Sequence, residues 1–461
     1  MNPLGRIHPS LASLACAAAV VLLAGCGTER PTPDARPQPA VVILGFDGAD
    51  LRWVDRLHAE GRLPHIGGLV ERGVSAPLET VHYWSPIIWT SMATGVRPER
   101  HGIGAFLIGN DVPAARPGGR GAPPPDEPLV PVADDYEPQK LVDASKPASV
   151  VNRRRPAFWN VLSHYDRSVG VLAWWATYPA EPVDGFVVSP YLFFGAPKKG
   201  KPTVVVEWKD DDPRRTYPPE LAEELRPFMR TDADLAPAEL RGVAGTPRQT
   251  AYTPWIVARD LGYFDAALHL LETRPVDTLA LFFQGIDVAG HDFTEFVFGA
   301  NVNRKRKARV RPAAVRAATA RVEAMYERAD AMVGRLLERL PAESDVLLVS
   351  DHGWEFDGTS HWNLNPGVFV AAGPSFRRGV RTDGVTVLDV APLVYAAQGV
   401  PVADALDGDV PPGVLRPEVE ARVTRVDDYP VPPHSLPAGS DGSAPEDEAY
   451  IELLKGLGYV E

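Results

Sequence analysis

The sequence predicts an α/β fold with a mostly parallel central sheet and helices on both faces. Three observations carry that expectation. Ala40–Phe46, Thr278–Phe283 and Val346–Val349 are β-branched and aliphatic runs of the length of strands buried on both faces. Each run is followed closely by an acid, at Asp47, Asp287 and Asp351. Between such runs lie helical patterns, the clearest in residues 313–340, where Val322, Met325, Tyr326, Ala329, Met332, Val333 and Leu336 recur at helical spacing. Strands alternating with helices give a parallel sheet.

The chain has 461 residues, 45% of them hydrophobic, enough for one large domain with insertions and a sizeable core. Its net charge of -13 argues against a nucleic-acid binder, which needs a basic surface. The 47 prolines point to long ordered loops. No feature of the sequence specifies an oligomeric state.

Residues 1–26 read as a targeting segment, with Arg6 as the positive region and Leu11 to Ala24 as an apolar region too short to span a membrane comfortably. Leu23-Ala24-Gly25-Cys26 resembles the bacterial lipobox, whose cysteine is lipidated and becomes the mature amino terminus. That resemblance implies a membrane partner through lipid on Cys26, at the periplasmic or extracellular face of a bacterial cell envelope. Cys16 would leave with the leader, so neither a disulfide nor a cysteine metal site is expected. Residues 27–39 form a proline-rich tether, and residues 40–403 the main body.

Within the body, Gly48 follows the first strand and its acid. Ser85-Pro86 reads as a helix start, serine as N-cap and proline at the first helical position, before Ile87, Ile88 and Trp89. A hydroxyl at a helix amino terminus, among free N–H groups, suits a phosphoryl group. His101, in a turn after Pro98, is assigned a structural role. A Pro/Gly-rich insertion occupies residues 111–150 and a cap-like insertion residues 196–250. Between them, 156–164 reads as a helix, and 168–174 and 185–189 as strands.

Residues 260–272 should be helical ahead of the Thr278 strand. Asp287 and His291 then stand four residues apart, so one helical turn or a tight loop can point both at one ion. The basic run 303–311 reads as a solvated helix start or loop. Asp351-His352-Gly353 falls at the carboxyl end of the Asp345 strand, where ligands bind in open α/β sheets, and His361 follows nine residues after His352. A strand at 367–372 and a helix at 385–398 come next. Residues 404–461 read as a loop-like tail closed by a short helix at 448–457.

The three acids would converge on one edge of the sheet. With His291, His352 and His361 they make six ligands, too many for one tetrahedral zinc and right for two ions sharing a nucleophile. Mixed carboxylate and imidazole donors suit zinc, manganese or iron better than calcium or magnesium.

The motifs GFDG at Asp47, Ser85 nine residues before the Thr94 of TG, P-x-x-HGI at Pro98, D-x-x-x-H at Asp287, SDHG at Ser350 and the later His361 occur in one order. In that order they resemble the alkaline phosphatase superfamily, in its type I phosphodiesterase and nucleotide pyrophosphatase branch. The resemblance implies two divalent ions, zinc first and manganese or iron as alternatives. Asp287, His291 and His361 would hold one, and Asp47, Asp351 and His352 the other, with Ser85 as nucleophile and further ligand. It implies a phosphate-ester substrate and a phosphoseryl intermediate. Where nucleotide pyrophosphatases place a phosphate-binding asparagine this chain has Ile88, and no arginine stands beside Ser85. Oxyanion stabilisation is therefore expected from backbone N–H groups, Thr90 or Asn363. The expected activity is a phosphodiesterase or phosphatase, with a phospho- or phosphoethanolamine transferase or an inactive binding lipoprotein as alternatives. Ser85-Pro86-Ile87-Ile88-Trp89 lacks the Cys/Ser-x-Pro-x-Arg pattern of sulfatases.

Overall fold

The computed structural model describes residues 38–108, 146–194, 212–240, 252–297, 312–354, 364–457 and 460. The expectations for Cys26 and the leader, the basic run 303–311, His361 and Asn363 lie outside the described residues.

In chain order the main elements are β1 (Val41–Phe46), α1 (Leu51–Ala59), α2 (Pro64–Arg72), β2 (Val74–Glu79), α3 (Ser85–Thr94), α4 (Phe158–His164), β3 (Val169–Leu172), β4 (Gly185–Val188) and β5 (Thr216–Tyr217). They continue with α5 (Tyr252–Thr273), β6 (Thr278–Phe283), α6 (Gly285–Val297), α7 (Pro312–Leu337), β7 (Asp345–Val349), β8 (Gly367–Ala372), β9 (Val380–Arg381), β10 (Val385–Thr386), α8 (Val390–Gln398) and α9 (Asp447–Leu457).

The sheet runs β9-β2-β8-β7-β1-β6-β3-β4-β5, with β10 also on β2. The fold is thus the predicted α/β class. β1 lies at the centre, fully buried, parallel to β6 through Val41↔Thr278 and to β7 through Val41↔Asp345. This register is what matters for chemistry, because it brings the carboxyl ends of the three acid-bearing strands level. Asp47 extends the ladder by one bond, its N–H donating to Phe283 O at 2.9 Å. β8 runs antiparallel to both β7 and β2, making that half of the sheet mixed.

Three stretches differ from the sequence reading. α5 starts at Tyr252, eight residues before the expected Asp260. It is buried on most sides, so its sequence carries little amphipathic period to mark an end. The single helix expected over 385–398 is β10, a short turn and α8, because Thr386 caps the turn with its N–H 2.8 Å from Asp389 Oδ2. The segment from 404 onward, read as a loop-like tail, packs along the body. Tyr429 donates to Pro401 O at 2.8 Å, Glu446 pairs with Arg215, and Leu453 and Leu454 are buried. Irregular backbone leaves no periodic trace of such anchoring. Among the described residues no helix is long and apolar enough to cross a membrane.

One buried network pins this segment. Glu181 and Arg153 pair at 2.6 Å with both side chains 1% exposed. Glu181 also accepts from Trp159 Nε1 at 2.7 Å, Asn160 Nδ2 at 2.9 Å and Ser435 N at 2.8 Å. Burial alone would raise the Glu181 carboxyl, but Arg153 and these donors outweigh it and hold the group below its ordinary range. Glu181→Ala strands the Arg153 charge and should cost about 3–5 kcal/mol in urea unfolding at neutral pH. Because the folded group is the stronger acid, its contribution is present above about pH 4.3 and fades as pH falls through the lower folded value. The gap between wild type and variant should therefore narrow on acidification.

Candidate active site

The site begins where β1 ends. Gly48 has φ 68°, and a Cβ there would lie 2.9 Å from Asp287 Cβ, so glycine is needed both for the turn and for the approach of α6. The turn is tied to the chain that follows β7. Gly48 N donates to Asp351 Oδ1 at 3.1 Å, Ala49 N to Ser350 Oγ at 2.8 Å, and Ser350 Oγ to His352 O at 3.1 Å. Trp354 closes the tie, its Nε1 donating to Gly48 O at 3.0 Å and its N–H to Asp50 Oδ2 at 3.1 Å.

Asp287 lies in the first turn of α6. The Asp260 carboxylate fixes that turn by accepting from Gly285 N at 2.8 Å and Gln284 N at 3.3 Å, while burial lifts Asp260 to about 6. His291 follows one turn later, with Nε2 3.5 Å from Asp287 Oδ2. A Cβ at Gly290 would collide with the Trp354 ring, so α6 is seated directly on the SDHG loop.

At the centre His352 Nε2 stands 3.6 Å from Asp47 Oδ1, 3.6 Å from Asp351 Oδ2 and 3.7 Å from Asp287 Oδ1. Its Nδ1 lies 3.2 Å from Gly353 O, so a proton on Nδ1 donates there and the Nε2 lone pair faces the carboxylates. Donor atoms of Asp47, Asp287 and His352 fall within 4.8 Å of one another, all buried.

Burial pushes Asp47 well above the carboxylate range, and the neighbouring Asp351 and Asp287 push it further, against the Ser85 hydroxyl, which lowers it. Asp47 Oδ2 and Asp351 Oδ2 are buried and accept no hydrogen bond among the described residues. Clustered buried carboxylates with open lone pairs are costly without a cation. The donor set of oxygen and imidazole nitrogen fits a zinc-type divalent ion.

Ser85 is the first residue of α3, and Trp84 occupies the N-cap position. The expected serine cap is thus corrected: Ser85 Oγ donates to Asp47 Oδ1 at 3.2 Å instead of accepting from the helix. His82 shapes the approach, its Nδ1 accepting from Trp84 N at 3.0 Å, and burial drives its pKa down to about 3. Thr90 leaves the expected phosphate-binding set, because its hydroxyl donates to Pro86 O at 2.7 Å within α3. Ile88 is fully buried. His101 bonds Ser91 Oγ at 2.9 Å inside the protein.

The structure therefore gathers Asp47, Ser85, Asp287, His291, Asp351 and His352 at one edge of the sheet. Sequence reasoning misses Ser350, Asp50, Asp260 and Trp354. Ser350 is within its reach as part of SDHG. The other three carry no spacing signal, because their role is to hold backbone.

The sequence model of the type I phosphodiesterase / nucleotide pyrophosphatase family matches residues 41–357. No match was found among curated proteins. Among solved structures, the chain is similar to a protein of Bacteroides thetaiotaomicron assigned as a sulfatase, at 12% identity and TM-score 0.49 over 85% of this chain and 76% of that one. It is also similar to an inactive form of murine ectonucleotide pyrophosphatase / phosphodiesterase 5 in complex with AMP, at 11% identity and TM-score 0.43 over 79% of this chain and 96% of that one. A 2-O GAG sulfatase aligns at 13% identity and TM-score 0.47 over 82% and 74%. The family match runs from the first residue of β1, through the Ser85 helix and α6, to just past the SDHG loop, and the chain belongs to the type I phosphodiesterase / nucleotide pyrophosphatase family, a family of phosphoester hydrolases.

Proposed function

We propose that the chain hydrolyses phosphate esters through a covalent intermediate on Ser85, at a site holding two divalent cations. The observation that carries this reading is the hydroxyl of Ser85 at the start of α3, directed at Asp47 inside a buried cluster of three carboxylates and His352. In keeping with the family resemblance, Asp47, Asp351 and His352 hold the ion nearer Ser85, and Asp287, His291 and His361 hold the other. Zinc is the first choice, manganese and iron the alternatives. Such ions, when bound, supply positive charge that favours ionised Ser85 and stabilises charge developing on the phosphoryl and departing oxygens.

The protein's own part is positional. The turn at Gly48 and the start of α3 set Ser85 Oγ for in-line attack on phosphorus. The Oγ–P bond forms as the bond from phosphorus to the leaving oxygen breaks, and the serine proton, now directed at Asp47 Oδ1, ends on the leaving oxygen. Water then cleaves the phosphoserine and restores the hydroxyl. Lipid on Cys26 would tether the enzyme to a membrane of the bacterial cell envelope, at its periplasmic or extracellular face.

Zinc-loaded protein assayed with an aryl phosphate monoester, a diester and a sulfate ester should turn over phosphate esters at least about 100-fold faster than sulfate, a discrimination of roughly 3 kcal/mol. Loaded protein that leaves both phosphate esters intact overturns the proposal.

A further inference from the structure

The end of the sheet remote from the catalytic cluster borders a cavity of about 600 Å³. Ser344 and Val346 line it at the amino end of β7, and Ala372 and Gly373 at the carboxyl end of the antiparallel β8. Extended chain rises about 3.3 Å per residue, so about 20 Å separates Asp345 from Asp351. The cavity is therefore a place apart from Ser85 and the three carboxylates. Its floor is apolar, because Val346 and Ala372 pair across the β7–β8 ladder and both are buried, and Leu337 adds a wall from the end of α7. Its volume falls in the range of roughly 300–1,000 Å³ that suits a small ligand.

Three guanidinium groups line the same space, Arg72 from the last position of α2, Arg378 from just before β9, and Arg416, against one carboxylate, Glu343. That balance runs against the chain's net charge of -13. Arg416 is half-buried and fixed, its Nε donating to Phe376 O at 2.9 Å and its Nη2 to Gly373 O at 3.5 Å. Arg72 and Arg378 are exposed, and their side chains form no ion pair or hydrogen bond among the described residues. The buried acid behind Gly373, Asp345, is already engaged, accepting from Ser375 N at 2.9 Å and Ser375 Oγ at 2.5 Å. One guanidinium fork satisfies a carboxylate, whereas a terminal phosphate presents three oxygens and can take several forks. An apolar floor beside such donors favours an anion with a hydrocarbon part over bare phosphate.

We propose that this cavity is a second binding site, for a phosphate monoester with an apolar body, its phosphate held by Arg72, Arg378 and Arg416 and its hydrocarbon laid against Val346 and Ala372. Two sources share that chemistry, a soluble alkyl or aryl phosphate and the headgroup of a phosphatidic-acid-type lipid. Neither requires hydrolysis at Ser85.

Hexylphosphonate has the required head and tail and no ester bond to cleave. A phosphonate can also enter the catalytic cluster, so calorimetry on the zinc-loaded full chain should show two sites. The R72Q/R378Q double variant should weaken one of them at least about tenfold with an unchanged melting temperature, since both side chains are exposed and bond nothing within the fold. Asp351→Asn should weaken only the other. Methylphosphonate, which lacks the apolar body, should bind at least about tenfold more weakly at the arginine site. A single site that responds to Asp351→Asn and not to R72Q/R378Q overturns the inference, as does an arginine site with equal affinity for the two phosphonates. Dihexanoyl phosphatidic acid, kept below its micellar concentration and offered to Ser85→Ala protein, separates the sources. Affinity at the arginine site above that of hexylphosphonate assigns a lipid headgroup, and affinity below it a soluble ester.

Discussion

Ser85→Ala should lower phosphate-ester hydrolysis by roughly 10⁴-fold or more, a loss of at least about 5 kcal/mol of transition-state stabilisation. The size follows from the role, since removing a covalent nucleophile deletes the step and not a contact. The fold should survive, because Ser85 gives its helix no side-chain cap and its hydroxyl is engaged, among the described residues, in the 3.2 Å bond to Asp47. Steady-state rates, metal content and melting temperature on one sample are the check. Loss of rate with retained zinc and unchanged melting temperature is the expected pattern, and a rate within tenfold of wild type removes Ser85 from the chemistry.

Asp351→Asn should reverse its effect on stability with metal. Without cations the three carboxylates around His352 repel one another, and Asp47 bears the consequence as a raised affinity for its proton. The substituted amide can still accept from Gly48 N through its oxygen while removing one charge, so the metal-free variant should be more stable than wild type by about 1–3 kcal/mol. Zinc in large excess over its dissociation constant should stabilise wild type by about 4 kcal/mol and the variant much less. Activity should fall with the lost ligand. Denaturation curves with and without zinc test this, and a variant less stable than wild type in both conditions argues against a cation site.

Much of this architecture is legible in the sequence because strands buried on both faces must be continuously apolar. β1, β6 and β8 are read to within a residue or so from that alone, and the acids after β1 and β7 mark the edge where chemistry sits. The site is legible where a motif and a strand end coincide, as at Asp47, Asp351 and His352. What escapes are groups whose work is on backbone. Asp260 caps α6 from a different helix, and Asp50 and Trp354 tie two loops together. Their partners are hundreds of residues distant or on separate elements, so no local spacing encodes them. Only the capping role read for Ser85 is overturned, and for a related reason. A serine before proline has two compatible uses, and only the position of Asp47 decides between them.

The bonds that join Gly48 to Asp351 and Ala49 to Ser350 span 303 and 301 residues of chain. Loops of that length close slowly, and their contacts form among the last on a folding path. A nascent chain released past Ser85 and Asp287 but not yet past Ser350 holds most of its reactive groups without the geometry to use them. Enzymatic competence should therefore appear as a late event in synthesis, arriving with the final strands, and a chain ending before β7 should be inert however well its earlier half is folded.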